Sequence, residues 1–355
     1  MATRGTTRVF DRTDRFVEGW YWAKPSNEVR PGRIVAVQLL GRDLVLWRDT
    51  SGRIRCHDAY CPHMGAHLAE GSVDGDQIRC FFHHWRFDAE GRLTDIPCQD
   101  TLPKVGVQAW PVGEAYGLVW VWCGGTEAKL PLPYVPELEG QELRALLGNQ
   151  FVKGCHPNVV MINAIDEQHF HSVHPMASSL AVGQRFAVKP LGDNLIQFDN
   201  AEPVPHTNAI TRFISRFYDG PLTYRMNYWN GSTGSVTVGP DRQHFHILFA
   251  LRPNAAGETE GQTVLLTERR SGLRGLLYNR VCLELTRVVG DYFAKGDTEV
   301  FQTIRFDLAT PIPSDRSILR FIQHLERQAV SSWGAWEALP AATASARGLE
   351  LVEGA

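Results

Sequence analysis

Cys61-Pro62-His63-Met64-Gly65-Ala66-His67 is followed, with sixteen residues between His63 and Cys80, by Cys80-Phe81-Phe82-His83-His84-Trp85. Read as C-x-H…C-x-x-H, each half offers one thiolate and one imidazole. A [2Fe–2S] cluster with two cysteines on one iron and two histidines on the other needs that set, and the neutral imidazoles raise its potential above that of an all-cysteine cluster. A structural zinc finger instead pairs two cysteines in one segment and two histidines in another. Mixed ligands in both loops favour the iron–sulfur reading, and they imply a small β-domain that presents two loops side by side.

Outward from these loops the chain reads as short strands. Residues 34–40 and 44–47 are mostly apolar runs joined by Gly41-Arg42-Asp43, and Asp49-Thr50-Ser51-Gly52 reads as a turn. Tyr116-Gly117-Leu118-Val119-Trp120-Val121-Trp122 is a further strong strand. Such runs bounded by turn residues predict a small antiparallel β-domain. The proline-rich stretch Leu130-Pro131-Leu132-Pro133-Tyr134-Val135-Pro136 reads as a semi-extended linker.

Beyond the linker the period changes. Residues 158–174 read as helical, with Pro175 ending the helix. Strand-like runs return at 222–229, 235–238, 246–251 and 263–267. Residues 273–293 carry apolar side chains at offsets of three and four, the mark of an amphipathic helix. A last helix is expected over 317–331, started by Ser314 or Asp315. The small, polar tail is expected to be flexible. No internal repeat is found. The chain is therefore expected to be α+β: an all-β metal domain over 15–126, a proline-rich linker over 127–143, a catalytic domain over 144–338 and a flexible tail over 339–355.

The first predicted helix carries a second constellation, Asn163-x₂-Asp166-x₂-His169-x₄-His174. Non-haem Fe(II) oxygenases bind the metal through two histidines and one carboxylate on one face, leaving positions open. Two histidines five apart differ by about 140° on a straight helix, so the helix must bend or end between them. Asp166, three before His169, shares its face and is placed to hold a ring N–H of that histidine. His171 points away and is read as structural or pocket-lining. The carboxylate must come from elsewhere. Asp297, just past the predicted 273–293 helix, is the choice, with Asp291, Glu299 and Asp307 as competitors.

Composition sets the class. With 355 residues, 43% hydrophobic and 21% charged, the chain is an ordinary globular protein. A net charge of −3 argues against partners that need a basic face, nucleic acid and membrane surfaces among them. No apolar run reaches the length of a membrane span, and residues 1–15 show no secretory signal pattern. Seven cysteines, odd in number and widely spaced, make a disulfide framework improbable. A cytoplasmic enzyme is the expectation.

Taken together, these residues resemble the Rieske non-haem iron ring-hydroxylating oxygenase α-subunits across residues 15–335. The stretch from Cys61 to Gly71 is similar to 3-ketosteroid 9α-hydroxylase oxygenase components. Phe82–Asp88 and Tyr116–Trp122 are more similar to aminopyrrolnitrin oxygenase, an arylamine N-oxygenase. Respiratory Rieske proteins add a bridged cysteine where Ala66 and Phe82 stand here, which points to the oxygenase or ferredoxin branch and a lower potential. The common second loop has glycine at the place of His84, a departure that narrows the subgroup. His67 and His84 are read as solvent-facing or hydrogen-bonding residues.

The resemblance implies that Cys61, His63, Cys80 and His83 bind the cluster and that His169, His174 and Asp297 bind the mononuclear iron, Asp297 fitting a D-x-x-[IV]-[WF] pattern through Val300 and Phe301. It implies a helix-grip (START-like) catalytic domain with an antiparallel sheet. It further implies a homotrimer in which Asp166 bridges His83 of one chain and His169 of the next, with Asn163 beside it as a second catalytic candidate. The chain lacks a G-x-G-x-x-G dinucleotide fingerprint, so electrons from NAD(P)H are expected through a separate flavin reductase, with or without a ferredoxin. The substrates expected are O₂ and a bulky, apolar ring compound, steroid-like or an arylamine natural product, which is mono-oxygenated. Tyr224, Met226, Tyr228, Trp229, Phe245 and Phe249 are candidate pocket walls. A benzoate pocket would need a dedicated cation, and the sequence alone places none. The alternatives are cis-dihydroxylation, demethylation or desaturation by the same metal set, and, more remotely, a Rieske electron carrier.

Overall fold

The computed structural model describes residues 7–206, 209–230, 232–241 and 243–334; the expected tail over 339–355 lies outside them. Ten short strands come first: β1 (Gly19–Pro25), β2 (Val35–Leu39), β3 (Arg42–Arg48), β4 (Ile54–Asp58), β5 (Ser72–Asp74), β6 (Gln77–Arg79), β7 (Arg86–Phe87), β8 (Leu93–Asp95), β9 (Val112–Ala115) and β10 (Leu118–Cys123). They pair as β1-β10-β9, β2-β3-β4 and β5-β6-β7-β8, all antiparallel. Two hairpins turn on a two-residue loop whose residues both have positive φ, Leu40-Gly41 (46° and 81°) and Tyr116-Gly117 (60° and 78°). Such loops match the right-handed strand twist. The β2–β3 turn is thus Leu40-Gly41, and Arg42 and Asp43, expected in the turn, already belong to β3.

The second part combines helices with one large sheet. Its strands are β11 (Leu143–Lys153), β12 (Ala187–Pro190), β13 (Leu195–Pro203), β14 (Pro221–Trp229), β15 (Thr233–Pro240), β16 (Phe245–Pro253) and β17 (Thr259–Glu268). They form an antiparallel sheet in the order β11-β17-β16-β15-β14-β13-β12. The helices are α1 (Pro157–Asn163), α2 (Glu167–Ser172), α3 (Pro175–Ser179), α4 (Ala209–Ile214), α5 (Gly272–Thr303) and α6 (Arg316–Arg327).

Both faces of this sheet are covered, which explains the near-continuous apolar runs of β16 and β17. On β16, Leu248 and Ala250 pack with Val264 and Leu266 of β17 against Trp20, Trp22, Trp120 and Trp122 of β1 and β10. The alternate residues Ile247, Leu251 and Leu265 face the helices. The period of two thus ties the β-rich part to one face and the helices to the other. Burying each such side chain contributes roughly 1.5–3 kcal/mol.

Three helical expectations change. The single helix over 158–174 is three: α1 ends at Asn163, Asp166 caps α2, and α2 ends at Ser172. Pro175 does not stop a helix; it stands in the first turn of α3, where its missing N–H costs nothing. The 273–293 helix runs on to Thr303, so Asp297 sits within it rather than beyond it. The last helix ends at Arg327; Asp315 stands at its start, but its carboxylate accepts from the Ile312 N–H at 2.8 Å.

Candidate metal centres

The loop between β4 and β5 and the loop between β6 and β7 are matched in their backbones. In the first, the Cys61 N–H donates to the Ala66 carbonyl and the Gly65 N–H to the Cys61 carbonyl, both at 2.9 Å. In the second, the Cys80 N–H donates to the Trp85 carbonyl at 2.9 Å and the His84 N–H to the Cys80 carbonyl at 3.1 Å. Gly65 (φ 74°) and His84 (φ 61°) occupy the same left-handed position. His84 therefore adopts the conformation that the glycine common in this loop would adopt freely.

The turns bring the four residues together. Cys61 and Cys80 are buried, whereas His63 and His83 are exposed with ring centroids 4.5 Å apart. His63 stacks on Trp85 at 4.5 Å. Burial, partly offset by the His63 N–H and reinforced by the adjacent Cys80, pushes the Cys61 thiol up to about 11; a thiolate there calls for cationic charge beside it. Two inward thiols in mutual reach and two outward imidazoles in contact fit a [2Fe–2S] cluster with its histidine iron outermost. Met64, Phe81 and Phe82 form an exposed apolar rim. His67 caps the short turn after the first loop by accepting the Ala69 N–H at 3.2 Å.

The second centre draws on three helices. His169 lies on α2, His174 is the residue just before α3, and Asp297 lies on α5. Asp297 Oδ1 is 3.1 Å from His169 Nε2 and 3.0 Å from His174 Nε2. The ligand atoms of the three residues lie within 4.8 Å of one another, and both histidines are buried. Burial raises the Asp297 carboxyl, but hydrogen bonds and charge from the two histidines outweigh it and hold the pKa below its ordinary value. Two imidazole nitrogens and one carboxylate oxygen on one side of a point are the donor set of a facial iron site. The geometry separates Asp297 from Asp291, Glu299 and Asp307, which join no metal-ligating group among the described residues.

The neighbours behave less uniformly. Asn163 Nδ2 lies 3.1 Å from His169 Nε2. Asp166 does not hold the ring of His169 as expected from their spacing. Its Oδ1 accepts the backbone N–H groups of Gln168 (3.0 Å) and His169 (3.2 Å), because the residue is the N-cap of α2. Its Oδ2 has no hydrogen-bond partner among the described residues. His171 is exposed and bonded to Ser178 at 2.6 Å, away from the cavity. Tyr224 donates to the Ala164 carbonyl at 3.0 Å, pinning the break between α1 and α2. Burial, then the charge of Asp297, raises its pKa.

A cavity of about 450 Å³ opens onto the three ligands. Its wall is mostly apolar, with Phe151, Met226, Phe249, Leu265 and Phe301 among its residues. Of the six wall candidates, Tyr224, Met226 and Phe249 line it. Tyr228 packs on Phe321 of α6 at 4.5 Å, Trp229 points to Tyr134, and Phe245 joins the edge of the helix-side core. The wall also holds two cations that the sequence could not place. Lys153, at the end of β11, donates to Thr298 Oγ1 at 2.9 Å, and Arg287 pairs with Glu284 at 3.1 Å. The mixed composition of β11 hid that strand and, with it, Lys153. A larger cleft of about 810 Å³, beside Arg316, Arg320 and Arg327 of α6, includes none of the metal-ligating residues.

Comparison with known proteins identifies the domain that carries the first centre. The Rieske [2Fe-2S] domain family matches residues 19–110. The oxygenase component of 3-ketosteroid-9-alpha-monooxygenase from Rhodococcus rhodochrous is 36% identical over 166 residues, 45% of this chain and 44% of the relative. Aminopyrrolnitrin oxygenase from Pseudomonas fluorescens is 37% identical over 183 residues, 48% of this chain and 49% of the relative. The matched segments thus span less than half of these curated relatives. Among solved structures, the terminal oxygenase of carbazole 1,9a-dioxygenase from Nocardioides aromaticivorans shares the fold, with a TM-score of 0.62 at 19% identity over 89% of this chain and 95% of that one. The chain thus carries a Rieske [2Fe-2S] domain. Over about half its length it is related to the 3-ketosteroid-9-alpha-monooxygenase oxygenase component and to aminopyrrolnitrin oxygenase.

Proposed function

We propose that this chain is a terminal oxygenase component that mono-oxygenates a bulky, apolar ring substrate. The observation that carries the reading is the convergence of His169, His174 and Asp297 on the wall of an apolar cavity in a chain that also carries a Rieske domain. When bound, the cluster supplies electrons one at a time and the iron supplies the site at which O₂ is reduced. His169, His174 and Asp297 would hold the metal on one side only, and Asn163 stands beside it, with Nδ2 3.1 Å from the ligating Nε2 of His169. The aromatic wall excludes water and orients the ring toward the open side. The size and apolar lining of the cavity, and the steroid and arylnitrogen names of the relatives, support this substrate class.

The domains are read as a Rieske unit over 15–126 and a catalytic unit over 144–338 joined by 127–143. The antiparallel sheet facing the 32-residue α5 supports a helix-grip description of the second unit. Electrons are supplied by a separate reductase, directly or through a ferredoxin. The working assembly is a homotrimer in which Asp166 bridges His83 of one chain and His169 of its neighbour, meeting His169 through its backbone N–H rather than its ring. The unbonded Oδ2 of Asp166 and the exposure of His83 support that arrangement. The Asp166→Asn variant is then expected to keep both metals and lose turnover roughly 100-fold; coupled activity near wild type would remove the bridge.

The test of the whole reading is EPR of the anaerobically reduced protein before and after nitric oxide. A Rieske signal joined by a high-spin ferrous–nitrosyl signal supports both centres. A Rieske signal alone in iron-replete protein would leave only an electron carrier.

A further inference from the structure

One cation stands in the wall of the apolar cavity without a countercharge, and the end of β11 puts it there. A register shift between Leu147 and Gln150 bulges the strand. Beyond it Phe151 and Lys153, two apart, both turn to the cavity, while Val152 between them is 59% exposed on the other side. Lys153 Nζ donates to Thr298 Oγ1 at 2.9 Å, and that hydroxyl donates in turn to the Ala294 carbonyl at 3.1 Å. The ammonium is thus tethered to α5 at the residue next to Asp297, rather than free to reach for water. Its other neighbours are the rings of Phe151 and Phe301, with centroids 5.7 Å and 5.8 Å away.

The other charges of the wall are accounted for. Arg287 is exposed and paired with Glu284 at 3.1 Å, Asp297 faces the two histidines, and Asp291 is exposed to water. Lys153 is half-buried, and no carboxylate lies within ion-pair distance of it among the described residues. An ammonium offers three N–H donors, and Thr298 takes one. A cation partly withdrawn from water costs free energy unless it is paired. A carboxylate is the partner that supplies opposite charge and hydrogen-bond acceptors together. Sequence alone placed no cation for an acid-bearing ring; the fold supplies one.

We propose that Lys153 anchors a carboxylate on the substrate, so that the class taken is a bulky apolar ring bearing an acid group. The ring then lies against Phe151, Met226 and Phe249 of the same cavity. The inference rests on the oxygenase reading for what becomes of the ring, not for the anchoring itself.

Anaerobic calorimetric titration of the holoprotein with naphthoate and with its methyl ester tests it, since the two share a ring system and only the acid carries charge. Wild type is expected to bind the acid at least about tenfold more tightly than the ester. Lys153→Met and Lys153→Gln should each remove that preference, hold the ester affinity within about twofold, and keep the visible spectrum of the cluster and the thermal midpoint. No saturable binding of the acid, or an ester bound as tightly as the acid, would overturn the proposal. So would an acid preference that survives in both variants, which would hand the carboxylate to the iron or to Arg287. The titration needs no turnover. Protein that prefers the acid through Lys153 but gives no ferrous–nitrosyl signal would keep the anchor and lose the oxygenase reading; a nitrosyl signal without the preference would do the reverse.

Discussion

His84 shows how far a single residue can be read. Its place in the motif identifies it as a departure from the common loop, but its φ of 61° shows what the departure costs. A left-handed backbone costs a non-glycine residue roughly 1–2 kcal/mol, less for histidine than for a β-branched residue. His84→Gly is therefore expected to keep the reduced Rieske EPR signal with a thermal midpoint equal to or above that of wild type. His84→Val is expected to lose about 1–2 kcal/mol and part of the cluster. A glycine variant less stable than the valine variant would show that the imidazole itself holds the loop. Cys61, His63, Cys80 and His83 were legible at this scale because their ligands come in two local pairs. Asp297 was not, since four acidic residues share its neighbourhood and only distance separates them.

At the scale of elements, α5 was read too short and the 158–174 helix too long, for one reason. Gly296-Asp297-Thr298 looks like the end of a helix, and a mid-helix glycine costs about 1 kcal/mol. Here the glycine is a contact. A methyl group on residue 296 would meet Val173 Cγ1 at 2.5 Å and His174 Cε1 at 3.3 Å. The missing side chain lets α5 approach the bend between α2 and α3 closely enough for Asp297 to reach both histidines. Gly296→Ala is thus expected to leave circular dichroism and acid-labile sulfide unchanged. Iron should fall from about three toward about two per two sulfides. Full iron content in that variant would mean that the helices shift apart without disturbing the ligands. The break between α1 and α2 is likewise tertiary, held by Asp166 at the cap and by Tyr224 reaching across from β14.

Across the whole molecule, burial sets the response to acid. His57, His156, His246 and His324 lie in four different places, and burial depresses each to about 4 from an ordinary 6.5. His57 illustrates the cause: buried on β4, it accepts from Trp47 Nε1 at 3.0 Å and donates to the Ala89 carbonyl at 3.1 Å, a pattern that needs the neutral ring. Between these two pH values the unfolded chain binds protons that the folded chain does not. Stability is therefore complete above about 6.5 and is lost as pH falls toward 4, with a slope of up to about 1.4 kcal/mol per pH unit for each group. Asp49, held down to about 2 against burial by Ser51, Arg55 and Arg53, titrates below this window. The urea midpoint is expected to fall clearly between about pH 7 and about pH 5. A flat profile would mean that these histidines are charged in the folded protein.

The sequence by itself determined the metal chemistry of the first centre, the α+β class, the histidine pair of the second centre and the need for a helix to break between them. These depend on short-range spacing, where ligand type and backbone period are written directly into consecutive residues. Only the tertiary structure decided between Asp297, the sequence's choice, and its acidic competitors, which half of the wall candidates face the cavity, and that Lys153 and Arg287 stand in its wall. Each of these depends on how elements more than a hundred residues apart, or the two faces of one element, are packed against a sheet buried on both sides. Period and composition cannot carry that information, because a strand or helix reads the same whichever neighbour covers it.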